Sequence, residues 1–137
     1  MQPDAARAAE TREWLTKAAL DLRAAEFEFT AQPPLTADIV FHCQQLAEKS
    51  LKGFLTWHDQ PFRKTHNLVE LGQQCVGIDT TLEDILRRAA RLTEYAWRFR
   101  YPGQPEEPSV PEAREALALA RQVNDAILNR LPREFLT

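Results

Sequence analysis

The sequence predicts an all-α fold, an up-and-down antiparallel bundle of about five helices. Three observations lead there. Apolar residues return every three or four positions through most of the 137 residues. Proline, glycine and Ser/Thr/Asp positions punctuate those periodic runs where helices start and stop. Only 4 glycines are present, Ala, Leu, Glu and Arg recur, and no stretch alternates as a strand would.

The first helix is expected over residues 4–27. Asp4 is a plausible cap, and Trp14, Leu15, Ala18, Leu22 and Ala25 form the inward side. Gln32-Pro33-Pro34 ends it, since proline cannot continue a helix and restricts the residue before it. The second helix is expected over 36–57 with Thr36 as cap. Ile39, Cys43, Leu46, Ala47, Ser50, Phe54 and Trp57 share one face. His42, Gln45, Lys49 and Lys52 fall on the opposite side, within about 80° of one another. Gly53 is either a place of close approach or a weak spot costing about 1 kcal/mol against Ala.

Phe62-Arg63-Lys64-Thr65-His66 reads as a basic loop feeding a short third helix to about Cys75, capped by Thr65 and stopped at Gly77, with His66 in its first turn. The fourth helix starts at a Thr80/Glu83 capping box, with Leu82, Ile85, Leu86, Ala89, Leu92, Ala96 and Phe99 inward. Arg87, Arg91 and Arg98 fall on its far side. Continued helical counting turns Arg100 back toward the core stripe, where a guanidinium needs carbonyls, a carboxylate or a bound anion. A loop over 102–108 leads to a Ser109/Glu112 capping box with Pro111 in the first turn. The fifth helix runs to about Leu131, with Ala113, Ala116, Leu117, Ala120, Val123, Ile127 and Leu131 inward, and a loose tail follows Pro132.

This length suits one domain over 1–137, with an ordered core of about 4–131. Hydrophobic content of 44% and charged content of 27% are ordinary for a soluble globular protein. No signal peptide and no bilayer-length apolar run is visible, so a cytoplasmic location and no membrane partner are expected. Cys43 and Cys75 are expected as reduced, buried thiols.

The net charge of −3 argues against a protein built mainly to coat nucleic acid. The charge is uneven. Lys49, Lys52, Arg63 and Lys64 face only Asp59 between residues 49 and 66, and five arginines face only Glu94 between 87 and 101. A local anion site is compatible with that distribution. His42, His58 and His66 lack metal-ligand spacing, so no metal and no cofactor are expected. No glycine-rich phosphate loop or nucleophile elbow occurs. Neighbouring His42 and Cys43 diverge by about 100° on a helix and are badly placed to pair.

Three segments together carry a resemblance. Gln44-Gln45-Leu46-Ala47-Glu48-Lys49-Ser50-Leu51-Lys52 is similar to the "QxAEKxLK" pattern of helix two in HEPN-domain proteins. Thr65-His66-Asn67-Leu68 resembles their "THDL" step, with Asn67 where Asp is usual, and Arg100-Tyr101-Pro102 resembles their "RYP" after helix four. The resemblance implies a helical bundle, often a homodimer, that frequently partners a small, separately encoded nucleotidyltransferase in toxin–antitoxin-like pairs. RNA-cleaving members carry an arginine, four to six intervening residues and a histidine, and this sequence has no such pair: Arg63 and His66 are too close.

The expectation is therefore a non-catalytic subunit that binds nucleotide or RNA. Lys49, Lys52, His66 and Arg100 would hold phosphate, with Arg63 and Lys64 adding charge and Tyr101 stacking a base or meeting a hydroxyl. The first alternative is a metal-independent ribonuclease using His66 with Arg63 or Arg100. The second is a structural interaction module whose polar stripe is a protein-binding face.

Overall fold

In the computed structural model, residues 4–103 and 106–136 are described; Met1–Pro3, Thr137 and, within the expected 102–108 loop, Gln104 and Pro105 lie outside them. The architecture is an all-α bundle: α1 (Ala5–Glu28), α2 (Thr36–Trp57), α3 (Leu68–Ile78), α4 (Glu83–Ala89) and α5 (Val110–Leu128). Tighter 3₁₀ turns cover Thr80–Leu82, Ala90–Ala96 and Arg133–Leu136, and no strand occurs among the described residues.

The successive pairs α1–α2, α3–α4 and α4–α5 run antiparallel, whereas α3 and α5 both run in the direction of α2. Gly53 of α2 lies against Trp14 and Leu15 of α1, while His42 near the start of α2 meets Glu28 at the end of α1. Gly72 faces Leu86, and the Leu68 N–H donates to Thr93 Oγ1, which sets α3 against α4 and its 3₁₀ extension. Arg88 reaches Gln122, Arg91 reaches Glu115 and Tyr95 reaches Glu112, so α5 descends alongside α4. The connection from α2 to α3 climbs back along α2 and brings His66 level with Glu48.

α2 is the central element, and most of its length is buried. Ile39, Cys43, Leu46, Ala47, Leu51, Phe54 and Leu55 fill the core with Leu68, Leu71, Leu82, Leu92, Ala120, Val123 and Ile127. Ser50 points into the same region and donates to Leu46 O, with Asn124 Oδ1 at 3.0 Å. Gly53 marks a close approach: a Cβ there would stand 3.2 Å from Leu15 Cδ2 and 3.3 Å from Trp14 Cβ.

Several boundaries differ from the sequence expectation, for local reasons. Asp4 caps α1 as expected, accepting from the Ala6 N–H at 2.9 Å. Thr36 is buried as the first residue of α2, and its predecessor Leu35 provides no side-chain cap. Asn67, rather than Thr65, caps α3 by accepting from the Val69 and Glu70 N–H groups; Thr65 Oγ1 instead accepts from the Asn67 N–H. His66 therefore precedes α3. Gly77 does not stop that helix, which ends at Ile78.

The expected Thr80/Glu83 box is displaced by Asp79. Its carboxylate accepts from both the Thr81 N–H and the Thr81 hydroxyl and is held by Arg130. A carboxylate is the stronger acceptor. Only the Ser109 half of the last capping box forms, because Glu112 turns away to accept from Tyr95. α5 ends at Leu128 rather than Leu131, although Leu131 stays buried. The tail is packed rather than loose: Phe135 is buried and lies edge-on to Trp57 with ring centroids 5.2 Å apart.

Candidate functional site

Two polar clusters grow from α2. Along that helix Asp38, Phe41, Gln45, Glu48 and Lys52 recur at three- and four-residue steps, within about 80° of one another. His42 and Lys49 form the adjoining edge. The helix thus shares its polar side between two neighbours, α1 on one edge and the chain entering α3 on the other.

On the α1 edge, Asp21 is buried and grips two partners. His42 Nδ1 lies 2.8 Å from one oxygen and Lys49 Nζ donates to the other at 2.7 Å. Glu28 stands 3.8 Å from His42 Nε2. The Asp21 hydrogen bond raises the His42 pKa above its ordinary value, overcoming the burial that lowers it, with Glu28 and Asp38 adding to the rise. Burial raises Glu28, partly offset by His42. Lys49 is consequently tied to a buried carboxylate rather than presented to solvent.

On the other edge, Glu48 is the hub, with only 4% of its side chain exposed. Oε2 accepts from Lys52 Nζ at 2.8 Å. Oε1 accepts from Gln44 Nε2 at 3.0 Å and lies 2.8 Å from His66 Nδ1. Gln44 also donates to the His66 carbonyl, so both the backbone and the ring of His66 are fixed from α2. Burial alone would raise the Glu48 carboxyl, but hydrogen bonds from Lys52, His66 and Gln44 prevail and hold it below the usual carboxylate range. The Lys52 ammonium is buried with it, 5.4 Å from the Trp14 ring centroid and 5.8 Å from that of Phe62. Lys52 thus sits inside the fold with its charge partnered.

His66 is the exposed end of this network. Its side chain is 66% exposed while Nδ1 is tied to Glu48, which leaves Nε2 as the nitrogen without a hydrogen bond. Arg100 lies on the same face of α2. Its guanidinium covers the Phe41 ring at 3.7 Å from the centroid and stands 3.7 Å from an Asp38 oxygen. Phe41 and Glu48 are seven residues apart, about 10 Å along the axis. His66 and Arg100 therefore bracket the α2 surface around Gln45.

The route to Arg100 is not the helical one expected. The helical turns end at Ala96, and the Arg100 N–H donates to Trp97 O, closing a turn. Within it Phe99 has φ of 70°, which a bulky residue rarely adopts. Its ring stacks on Tyr95, and Arg98 lies over it while pairing with Glu94. The turn delivers Arg100 sideways onto α2 rather than into the core stripe, and a carboxylate, one of the expected acceptors, is beside it. Tyr101 follows, 64% exposed.

The remaining cations are arranged differently. Arg63 pairs with Glu70 through Nε at 3.0 Å and Nη2 at 2.5 Å, so its fork is occupied. Lys64 is exposed in the same loop. His58 lies against the Phe54 ring, and burial lowers its pKa. Cys43 and Cys75 are buried, and burial pushes both thiols up to about 12. Among the described residues no group of three or more His, Cys, Asp or Glu has metal-holding geometry, and no helix is long and apolar enough to cross a membrane.

The structure also brings in residues that sequence reasoning passed over. Asp21 shares the spacing of Ala18 and Ala25 on the inward stripe of α1, a position where an acid demands a partner. Glu48 stands four residues before Lys52, the spacing of a helical ion pair. Asp38 carried no signal beyond being an acid in the first turn.

A family model described as HEPN domain matches residues 11–131 of the chain. No curated protein and no solved structure gives a significant match.

Proposed function

The chain belongs to the HEPN-domain family, and from that premise we propose that it is a non-catalytic subunit binding a phosphorylated ligand, nucleotide or RNA, at the surface between His66 and Arg100. The observation that carries this reading is the fixed and exposed His66, tied by Nδ1 to buried Glu48 at 2.8 Å, on the same face of α2 as Arg100. A solvent-facing residue held this rigidly spends little entropy when it meets a ligand. Arg100 supplies the charge, and its contact with Asp38 is long enough at 3.7 Å for a phosphate to compete. Exposed Tyr101 is placed to stack a base or donate to a hydroxyl, and Lys64 adds positive potential.

Lys52, expected as a phosphate contact, supports the site from behind through Glu48, while Lys49, expected likewise, is tied to Asp21 on the α1 edge. Arg63, expected as a further contact, is held by Glu70. Within this reading the partner is a minimal nucleotidyltransferase in a toxin–antitoxin-type pair, and the working form is a homodimer located in the cytoplasm. The whole of 1–137 acts as one domain.

A ribonuclease reading survives through His66, whose outward nitrogen is free to move a proton. The arginine–histidine spacing of the RNA-cleaving members is absent, which favours binding over cleavage. A crystal soaked with ATP or a ribodinucleotide tests the proposal. Phosphate density beside Arg100, within reach of His66, supports it, and ligand density elsewhere on the protein contradicts it.

A further inference from the structure

We infer that Lys52 is a positioning residue for His66: it occupies Oε2 of Glu48, keeps Oε1 as an ionised acceptor, and so holds the imidazole as its Nδ1–H form with Nε2 turned outward to accept a proton. The hydrogen-bond inventory requires this order. An ionised carboxylate can only accept, so the proton in the 2.8 Å contact belongs to Nδ1. A neutral imidazole with Nδ1 protonated has its lone pair on Nε2. Were Glu48 protonated, its hydroxyl could donate to Nδ1 and the ring would carry its proton outside.

Lys52 is built for this task. It is four residues from Glu48 on α2, its ammonium is 2.8 Å from Oε2, and it is buried beside Trp14 and Phe62. Those two rings pack edge to face with centroids 6.1 Å apart. Solvent cannot readily replace the ammonium there. Gln44 adds a second donor to Oε1 and fixes the His66 carbonyl, which sets the ring's approach. Four side chains and one backbone carbonyl thereby act as one unit.

The consequence concerns what the site recognises, and it rests on the proposed binding of a phosphorylated ligand. In its neutral Nδ1–H form His66 offers an acceptor, whereas Arg100 offers only donors. The ligand group that meets His66 is then a hydroxyl or another donor, and the anionic oxygen belongs to Arg100.

The test is multiple-bond ¹H–¹⁵N NMR on protein labelled with ¹⁵N-histidine, at a pH where the rings are neutral. His66→Ala identifies the His66 signals among those of His42 and His58. The expected result is the Nδ1–H form in the wild type, loss of its dominance in Lys52→Met, and its return in Lys52→Arg. Should Lys52→Met fail to fold by circular dichroism, Lys52→Gln, which removes the charge and keeps Glu48, is read instead, again with the Nδ1–H form lost. A wild-type His66 in the Nε2–H form overturns the inference, as does an unchanged Nδ1–H form in whichever variant folds. ATP titrations on the same samples separate the two proposals. Absence of ATP binding with the expected tautomers sinks the binding reading and leaves the positioning role standing. Binding with unchanged tautomers in the variants sinks the positioning role alone.

Discussion

Glu48 Oε1 lies 2.8 Å from His66 Nδ1, a contact that joins the buried middle of α2 to the exposed approach to α3. Through it the polar interior and the solvent-facing site become one structure. Its energetics follow from burial: Glu48 and Lys52 are both nearly inaccessible, so each depends on the other. Removing one charge strands its partner and is expected to destabilise by about 3–5 kcal/mol, whereas replacing both with apolar groups of similar volume is often neutral. Urea denaturation should therefore place Lys52→Met far below the wild type and Glu48→Met/Lys52→Met well above the single variant. Additive losses in the double variant would contradict the coupling.

Acid should attack the same point. Burial raises the Glu48 carboxyl, the bonds from Lys52, His66 and Gln44 lower it further, and the net value falls below the ordinary 4.5. Its stabilising contribution is thus full above about 4.5 and is lost as pH falls through the lower folded value. Urea midpoints measured downward from pH 6 should decline more steeply in the wild type than in Glu48→Gln, compared by slope because the variant starts lower.

The α1 seam should respond in the opposite sense. The Asp21 hydrogen bond raises His42 above its ordinary 6.5 despite burial, with Glu28 and Asp38 contributing. That stabilisation is full below about 6.5 and fades as pH rises through the folded value. Burial also raises Glu28, so its proton is lost at a cost over a lower range beginning near 4.5. Stability should decline from pH 6.5 to 8.5 in the wild type and hold steadier in His42→Gln, as read by urea midpoints. Lys49, bonded to Asp21, faces the same seam.

The thiols should be silent in the native state. Cys43 and Cys75 are fully buried and burial pushes both up to about 12. The thiolate is the reactive form. Iodoacetamide at pH 8 should label neither until denaturant unfolds the chain, and rapid native labelling of either would contradict the packing.

Gly53 gives a packing test. A Cβ there stands 3.3 Å from Trp14 Cβ and 3.2 Å from Leu15 Cδ2, so a larger side chain crowds both neighbours. Overpacking of this kind costs about 1–3 kcal/mol. Gly53→Val should lower thermal stability accordingly, while Gly77→Ala, with nothing within 4 Å, should raise it slightly.

The sequence carried the helices and much of the site, for different reasons. Periodicity located α1, α2 and α5 well because burial enforces it: Ala18, Cys43, Leu46, Ala120 and Ile127 are all inaccessible. His66 and Arg100 were legible because they stand at breaks between helices, where a charged or titratable residue is not explained by packing. Their surroundings were hidden by two things. Helical counting gives a direction but not a neighbour, so Lys49 and Lys52 read as one outward stripe until Asp21 and Glu48 supplied partners. Local competition between acceptors also escapes spacing rules. Asn67 and Asp79 provide the caps assigned to Thr65 and Thr80, because each stands where the helical turns begin: Asn67 accepts from the Val69 and Glu70 N–H groups and Asp79 from that of Thr81. Helical counting misdirects Arg100 because the helix does not persist to Phe99, whose positive φ redirects the chain.

His66 and Arg100 together are the proposed binding surface for a phosphorylated ligand. Fluorescence anisotropy with labelled ATP and a labelled single-stranded RNA, at low and high salt, tests it most directly. Binding should weaken with salt, fall roughly tenfold or more in Arg100→Ala, the scale of one charge-assisted hydrogen bond, fall in His66→Ala, and be little changed in Arg63→Ala. Absence of salt-sensitive binding to either probe, or binding lost in Arg63→Ala and retained in both other variants, would contradict it.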